Sequence, residues 1–181
     1  MTEVKFAAFL RGVNVTGYNT VKMNDLKKIL EKSGLVNVKT FLNSGNVTFN
    51  VKNQTAEFLE SEIEKLLLKH LNLKTDVIVR ELSVLQEYMR LNPFVKIKMT
   101  PEIRLYVTFS KKNIPTSKKH LAGLTEFNFK ILKTFDKDIF SFIDLSGKNG
   151  TVVLMKYLEL NFGKDITTRN WNTIVRILEK T

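Results

Sequence analysis

The chain has 181 residues, of which 43% are hydrophobic, enough for one sizeable core or for two smaller halves that share an interface. It has a net charge of +11 and no cysteine, which excludes disulfide bonds, thiol nucleophiles and thiolate metal sites. It opens directly on a strand-like run and has no apolar stretch long enough to span a bilayer. We therefore expect a cytoplasmic protein with no membrane partner.

The positive charge has two interpretations, and the sequence leaves both open. Lysine and arginine number 29 against 18 aspartates and glutamates, and the excess is concentrated in the second half. One stretch is opposed only by Glu102; it contains Lys96, Lys98, Arg104, Lys111, Lys112, Lys118 and Lys119. A basic surface attracts nucleic acid or another polyanion. Abundant lysine and asparagine with scarce arginine is also typical of AT-rich coding sequences, and solvated lysine faces are common.

The first half has the pattern of a β-α-β-β-α-β unit. Nearly continuous apolar character predicts a buried strand at Val4–Leu10, and helical spacing of Leu26, Ile29 and Leu30 predicts a helix capped by Asn24. The pattern then predicts strands at Val36–Leu42 and Val47–Val51, a helix from Thr55 onward, and a strand at Asp76–Arg80. This order predicts a ferredoxin-like arrangement over residues 1–80.

The second half, residues 81–181, reads as a degenerate α/β relative of the first, with C-terminal helices. The predicted elements are a helix at Ser83–Leu91, a strand at Ile103–Phe109, a short helix from Pro115, strands at Phe127–Leu132 and Ile139–Ile143, and helices at Thr151–Asn161 and Thr168–Lys180. A final helix thus stands where the first half ends on a strand. The fold class is α+β, and we expect an internal pseudo-duplication.

Three polar motifs stand out against these apolar runs. They are Leu10–Val15 (LRGVNV), Asn43–Val47 (NSGNV) and Thr167–Thr173 (TTRNWNT). Guanidinium groups and backbone amides of this kind bind anions. The predicted topology brings the first two motifs to one end of the sheet, where a ligand would meet Arg11, Gly12, Asn14, Asn19, Ser44, Gly45 and Asn46. The alternative is that these are ordinary turn residues, selected for their backbone angles.

The third motif predicts a capped helix whose first turn binds an anion. Thr168 is a suitable N-cap, which would direct the amides of Arg169 and Asn170 toward a phosphate or carboxylate. Trp171 falls on the apolar face and is predicted to anchor the core. The alternative is a capped surface helix with ordinary arginines.

Known catalytic and metal-binding patterns are not matched. Ser146–Thr151 resembles a phosphate loop, but that pattern requires glycine at Phe142 and serine or threonine at Asn149. Glu60, Glu62 and Glu64 are assigned to the exposed side of an amphipathic helix. Asp136, Asp138 and Asp144 are too loosely grouped to indicate a carboxylate pair. We expect no metal and no cofactor.

The three motifs together resemble a bacterial family known as domain of unknown function family 1697, whose members carry Leu-Arg-Gly-Ile-Asn-Val, Ser-Gly-Asn-Val and Thr-Thr-Arg-Asn-Trp-Asn-Thr in this order. The resemblance covers essentially the whole chain and implies a two-part α+β protein of unknown activity. Two departures remove positive charge. Tyr18 and Val152 stand where the family pattern has lysine, which weakens the case for phosphate transfer more than the case for anion binding.

The function we expect is that of a cytoplasmic binding protein for a phosphate-bearing ligand, either a nucleotide or a nucleic acid. The alternatives are an enzyme that acts on a small anionic substrate and a structural or assembly protein without a ligand. The sequence leaves the oligomeric state open.

Overall fold

The computed structural model describes residues 3–15, 20–114 and 127–181. The chain divides into two compact units. The first comprises Met1–Glu87 and Ile177–Thr181, and the second comprises Tyr88–Arg176. Each unit contains a four-stranded antiparallel sheet, so the protein is of the mixed α+β class.

The first unit begins with the predicted series of elements. They are β1 (Glu3–Leu10), α1 (Met23–Lys32), β2 (Val36–Phe41), β3 (Asn46–Lys52), α2 (Ala56–Leu71), β4 (Val77–Glu81) and α3 (Leu82–Leu91), which runs on into the second unit. The sheet has the order β2-β3-β1-β4, with β1 antiparallel to both of its neighbours.

Alternation along β1 explains how the first core forms. Phe6, Ala8 and Leu10 share one face and are buried with Leu26 and Leu30 of α1 and with the apolar stripe of α2. Phe9 is also fully buried, on the other face. The near-continuous apolar character of β1 therefore reflects a strand that is covered on both faces, as the sequence predicted.

The starts of three predicted helices can be compared with the structure. The helix predicted from Thr55 is confirmed, and Thr55 is its N-cap, since its Oγ1 accepts from the amide of Phe58 at 3.2 Å. The N-cap predicted at Asn24 is wrong, because Asn24 lies inside α1, and Lys22, which precedes the first turn, makes no side-chain cap. The helix predicted from Ser83 begins one residue earlier, at Leu82.

The second unit repeats this strand order. Its elements after α3 are β5 (Ile103–Ser110), β6 (Phe129–Phe135), β7 (Asp138–Asp144), α4 (Thr151–Phe162), β8 (Ile166–Asn170) and α5 (Trp171–Glu179), whose end belongs to the first unit. The sheet order is β6-β7-β5-β8, so β5 to β8 take the places that β1 to β4 take in the first sheet. The short helix predicted from Pro115 lies outside the described residues.

The end of the second unit differs from the prediction in one element. The helix predicted from Thr168 starts at Trp171, because Ile166–Asn170 forms β8 and pairs with β5. The final strand expected only in the first half is thus present in both. Trp171 is 8% exposed, and its ring centroid lies 5.2 Å from that of Phe94, which confirms its predicted place in the core.

The acidic face predicted for α2 is also partly wrong. Glu62 is half-exposed, but Glu60 is only 8% exposed and accepts from the amide of Val79 at 2.9 Å. Glu64 accepts from the amide of Val77 at 2.7 Å. Since β4 is an edge strand, these two carboxylates occupy amides that would otherwise be open to pairing with another strand. Among the described helices, none is both long and apolar enough to cross a bilayer.

Candidate functional site

The first candidate site is built around Arg11, which follows the last residue of β1. Its main chain is held on both sides, since its amide donates to Asp76 O at 2.9 Å and its carbonyl accepts from the Thr75 hydroxyl at 2.5 Å. The guanidinium lies 3.7 Å from the Asp76 carboxylate, and the two side chains are 30% and 41% exposed. This distance exceeds that of a tight charge-assisted hydrogen bond, and the Arg11 side chain remains partly exposed.

The turn at 43–46 contacts the start of the Arg11 loop directly. The amide of Leu10 donates to the carbonyl of Gly45 at 2.8 Å, and the side chain of Asn14 donates to the carbonyl of Asn43 at 2.6 Å. Gly45 has φ of +69°, and a Cβ at this position would lie 2.8 Å from the Cβ of Leu10. Loop and turn therefore lie at one end of the first sheet, as the predicted topology requires.

The side-chain amides of this region form hydrogen bonds within the protein. Asn14 has φ of +56°, and its amide donates to the carbonyl of Val21 at 2.9 Å while accepting from the amide of Val21 at 2.8 Å. Asn46 is fully buried and donates to Phe41 O at 3.0 Å and to the Ser44 hydroxyl at 2.9 Å. Asn14 and Asn46 thus act as braces that fix the loop and the turn.

Gly12 and Asn19 are also predicted to lie beside the ligand at this end of the sheet. Gly12 has φ of +61°, and a Cβ there would meet no atom within 4 Å. Asn19, which was predicted to point to the same ligand, lies outside the described residues together with residues 16–18. The described part of the site is therefore one surface guanidinium on a braced loop and turn.

The second group of predicted residues, Thr168 to Asn170, belongs to the second unit and has a different local structure from the one expected. Thr168 is a strand residue and makes no helix cap; its hydroxyl lies 2.8 Å from that of Thr108 on β5. Arg169 is 9% exposed and donates to the Thr167 hydroxyl at 2.8 Å and to Thr168 O at 2.9 Å. Burial lowers the pKa of Arg169 to about 10, so the group keeps its charge at neutral pH.

Asn170 takes the capping position that the sequence assigned to Thr168. Its Oδ1 accepts from the amide of Asn172 at 2.9 Å, as an N-cap side chain does. Asn170, Asn172 and Arg104 line a cavity of about 250 Å³ in the second unit. Arg104 was visible in the sequence only as one member of a basic stretch, because nothing in the spacing connects it to the third motif.

Comparison with known proteins confirms the family that the sequence resembles. A family model described as "Protein of unknown function (DUF1697)" matches residues 3–135. The chain belongs to the DUF1697 family. Its TTRNWNT motif at Thr167–Thr173 lies beyond the matched range. No curated protein sequence matches the chain.

A solved structure resembles this DUF1697 chain over nearly its full length. The conserved bacterial protein SP0830 from Streptococcus pneumoniae superposes with a TM-score of 0.70. The two sequences are 21% identical, and the likeness covers 98% of each chain. At this identity the comparison shows a shared fold.

The acidic side chains of this DUF1697 protein are the groups that would hold a metal ion or act as a catalytic acid or base. Within residues 3–15, 20–114 and 127–181, no three histidine, cysteine, aspartate or glutamate side chains lie close enough together to hold a metal ion. Asp138 is fully buried and accepts from the Tyr88 hydroxyl at 2.7 Å and from the Ser110 amide at 3.2 Å. Asp144 accepts from the hydroxyl of Ser146 at 2.6 Å. Both carboxylates have structural partners of their own.

Proposed function

We propose that this chain is a cytoplasmic binding protein for a phosphate-bearing ligand, a nucleotide or a nucleic acid. The observation that carries the proposal is the partly exposed guanidinium of Arg11, held at the end of the first sheet where the loop and the turn meet. A guanidinium suits phosphate because its planar N–H groups donate to two oxygens at once.

The hydrogen bonds of Asn14 and Asn46 support this proposal by restraining the loop before any ligand arrives. Each side chain makes at least two hydrogen bonds to neighbouring groups. The loop and the turn beside Arg11 therefore lose little conformational entropy when a ligand binds. Their part is to position Arg11 rather than to contact the ligand. Arg169 is buried in the second unit, where its guanidinium donates to Thr167 and Thr168 and braces its own strand.

The test is binding of phosphate, mononucleotides, sugar phosphates and short RNA and DNA, first by thermal shift and then by calorimetry. A ligand at about a hundred times its dissociation constant raises the free energy of unfolding by roughly 2.7 kcal/mol. Arg11→Ala should remove the shift and should leave the fold intact. Arg176→Ala is the matched control, because Arg176 is an exposed arginine on α5. An unchanged affinity in Arg11→Ala contradicts the proposal.

One competing function has a specific observation in its favour. The internal hydrogen bonds of Asn14 and Asn46 are also what a structural or assembly protein without a ligand would need. In that case no phosphate compound would shift the unfolding temperature, and Arg11→Ala would cost only stability, within about 1 kcal/mol for a half-exposed ion pair. The same screen therefore separates the two functions.

A further inference from the structure

A cavity of about 450 Å³ adjoins the Arg11 site in the first unit, between α2 and the segment that leads into β4. Its lining includes Thr75 and Asp76, the two residues that hold the main chain of Arg11. The Asp76 carboxylate lies 3.7 Å from the Arg11 guanidinium, so one wall of the cavity lies beside that cation. The volume falls within the range of about 300–1,000 Å³ that is usual for small-molecule sites.

Among the described residues that line the cavity, positive and negative charges balance. The charged lining residues are two lysines and two acids, namely Lys65, Lys74, Glu64 and Asp76. Lys65 also pairs with Glu62, at 2.7 Å. A nucleic acid strand bears a phosphate at every nucleotide and binds where lysine and arginine are in excess. Carboxylates in the lining repel such a strand, so the cavity favours a ligand with a single phosphate.

Asp76 offers an acceptor for a hydroxyl group of the ligand. Its side chain is 41% exposed and lines the cavity, so a ligand can reach the carboxylate. An ionised carboxylate accepts hydrogen bonds and donates none, so it binds hydroxyl or amino groups and repels phosphate. In dinucleotide-binding folds an acidic side chain binds a ribose hydroxyl in this way. Beside a guanidinium that binds the phosphate, Asp76 therefore suits the sugar of a nucleotide.

Leu68 gives the same cavity an apolar surface that suits a base. It lies on α2, is 51% exposed and lines the cavity. Contact with the face of a base would remove the exposed part of this side chain from water, which is favourable. The cavity thus combines an acceptor for a sugar with an apolar contact for a base, next to the Arg11 cation.

We propose that the ligand of the Arg11 site is a nucleoside 5′-monophosphate whose nucleoside part lies in this cavity. The phosphate binds Arg11, a ribose hydroxyl donates to Asp76, and the base packs against Leu68. This inference rests on the proposed function for the position of the phosphate, and it selects the nucleotide over the nucleic acid.

The experiment is calorimetric titration of the full chain with methyl phosphate, ribose 5-phosphate and the 5′-monophosphates of adenosine, guanosine, cytidine and uridine. Leu68→Ser should weaken binding of the tightest nucleotide by about fivefold, because the base loses an apolar contact, and should leave ribose 5-phosphate unchanged. Phe58→Ser is the matched control, since Phe58 lies on the same helix, is 49% exposed and does not line the cavity.

Asp76→Ala is a second variant, for which two probes should change in opposite directions. It should weaken nucleotide binding by about fivefold, because it removes the acceptor of the ribose hydroxyl. It should tighten methyl phosphate binding by about twofold, because it removes a negative charge beside the phosphate. If Asp76 only supported the loop, both probes would weaken together. Circular dichroism checks that each variant is folded.

The proposal is supported if one nucleotide binds more tightly than ribose 5-phosphate and methyl phosphate, and if Leu68→Ser and Asp76→Ala act as stated while Phe58→Ser has no effect. It is overturned if ribose 5-phosphate binds as tightly as every nucleotide, if Leu68→Ser and Phe58→Ser have equal effects, or if Asp76→Ala shifts both probes in the same direction.

The proposed function and this inference fail in different ways. If no probe binds at millimolar concentration, or if Arg11→Ala changes no affinity, the phosphate site itself is wrong and the inference fails with it. If methyl phosphate binding depends on Arg11 while Leu68→Ser leaves nucleotide binding unchanged, the phosphate site stands and only the cavity assignment is wrong.

Discussion

Gly45 lies where the turn at 43–46 crosses the end of β1, and two constraints act on it. Its φ of +69° is strained for any residue with a side chain, and a Cβ would come within 2.8 Å of Leu10 Cβ and 3.3 Å of Val13 Cβ. We predict that Gly45→Ala lowers the free energy of unfolding by about 2–4 kcal/mol. Urea denaturation measures this loss.

Gly12 supplies the control for that prediction. Its φ of +61° is similar, but a Cβ there would meet no atom within 4 Å. Gly12→Ala should therefore cost only the backbone strain, about 1–2 kcal/mol. Equal losses at the two positions would show that steric contact with β1 contributes nothing.

Asp144 gives a prediction about pH. The hydroxyl and the amide of Ser146 both donate to its Oδ1, and these bonds lower the pKa of Asp144 below its ordinary value of 3.8. Because the shift is downward, the stabilisation is complete above pH 3.8 and is lost as the pH falls through the lower, folded-state value.

Replacing the hydroxyl donor tests this assignment. Ser146→Ala should raise the pKa of Asp144 toward 3.8, so that protonation begins at a higher pH, while Ser146→Thr should keep it low. An NMR titration of the Asp144 carboxyl measures the change. No difference between Ser146→Ala and the wild type would rule out the hydroxyl as the main cause.

At the scale of elements, α2 closes the open edge of the first sheet with Glu60. This carboxylate is buried, accepts from Val79 N and lies 3.9 Å from the Arg80 guanidinium. We predict that Glu60→Ala lowers the free energy of unfolding by about 3–5 kcal/mol, because it leaves a buried amide and a buried cation with one partner fewer. Chemical denaturation followed by circular dichroism measures the loss.

Glu62, two residues along the same helix, provides the comparison. Its side chain is 42% exposed and pairs with Lys65, which is 69% exposed. Glu62→Ala should change the free energy of unfolding by no more than about 0.5 kcal/mol. A comparable loss in both variants would mean that the two glutamates stabilise the helix rather than the contact with the edge strand.

The wrong predictions at Thr168 and Glu60 occur where a distant strand decides the local structure. Thr168 and Arg169 suit a capped helix start, yet they pair with Thr108 and Val107 of β5, and no local pattern encodes that pairing. Glu60 was assigned to solvent because helical periodicity cannot show an edge amide that needs an acceptor. Elements with strong periodicity and good turn residues, such as β1 and α2, were predicted correctly.

For the candidate site too, the sequence predicts one part correctly and misses another. Topology alone predicts that the Arg11 loop and the turn at 43–46 meet, because both follow strands whose direction the β-α-β-β order determines. The role of each polar side chain there depends on its partners. Asn14 and Asn46 look like ligand residues in the sequence, and only the positions of Val21, Asn43 and Phe41 show that they brace the main chain.

At the scale of the whole molecule, the net charge of +11 attracts any polyanion at low salt. A site that neutralises one phosphate loses affinity slowly with salt, whereas contact with six or more phosphates loses about a thousandfold between 50 and 200 mM. We predict that mononucleotide binding at Arg11 falls by less than about fourfold over this range. Fluorescence anisotropy with a labelled nucleotide measures the slope.

The same titration with a labelled oligonucleotide separates the surface charge from the Arg11 site. A steep salt dependence that survives in Arg11→Ala would place the polyanion on the basic surface, since that surface keeps its lysines in the variant. A shallow slope that is lost in Arg11→Ala would place the ligand at the end of the first sheet. A steep slope for the mononucleotide itself would contradict the prediction, because one nucleotide cannot neutralise the charges of an extended surface.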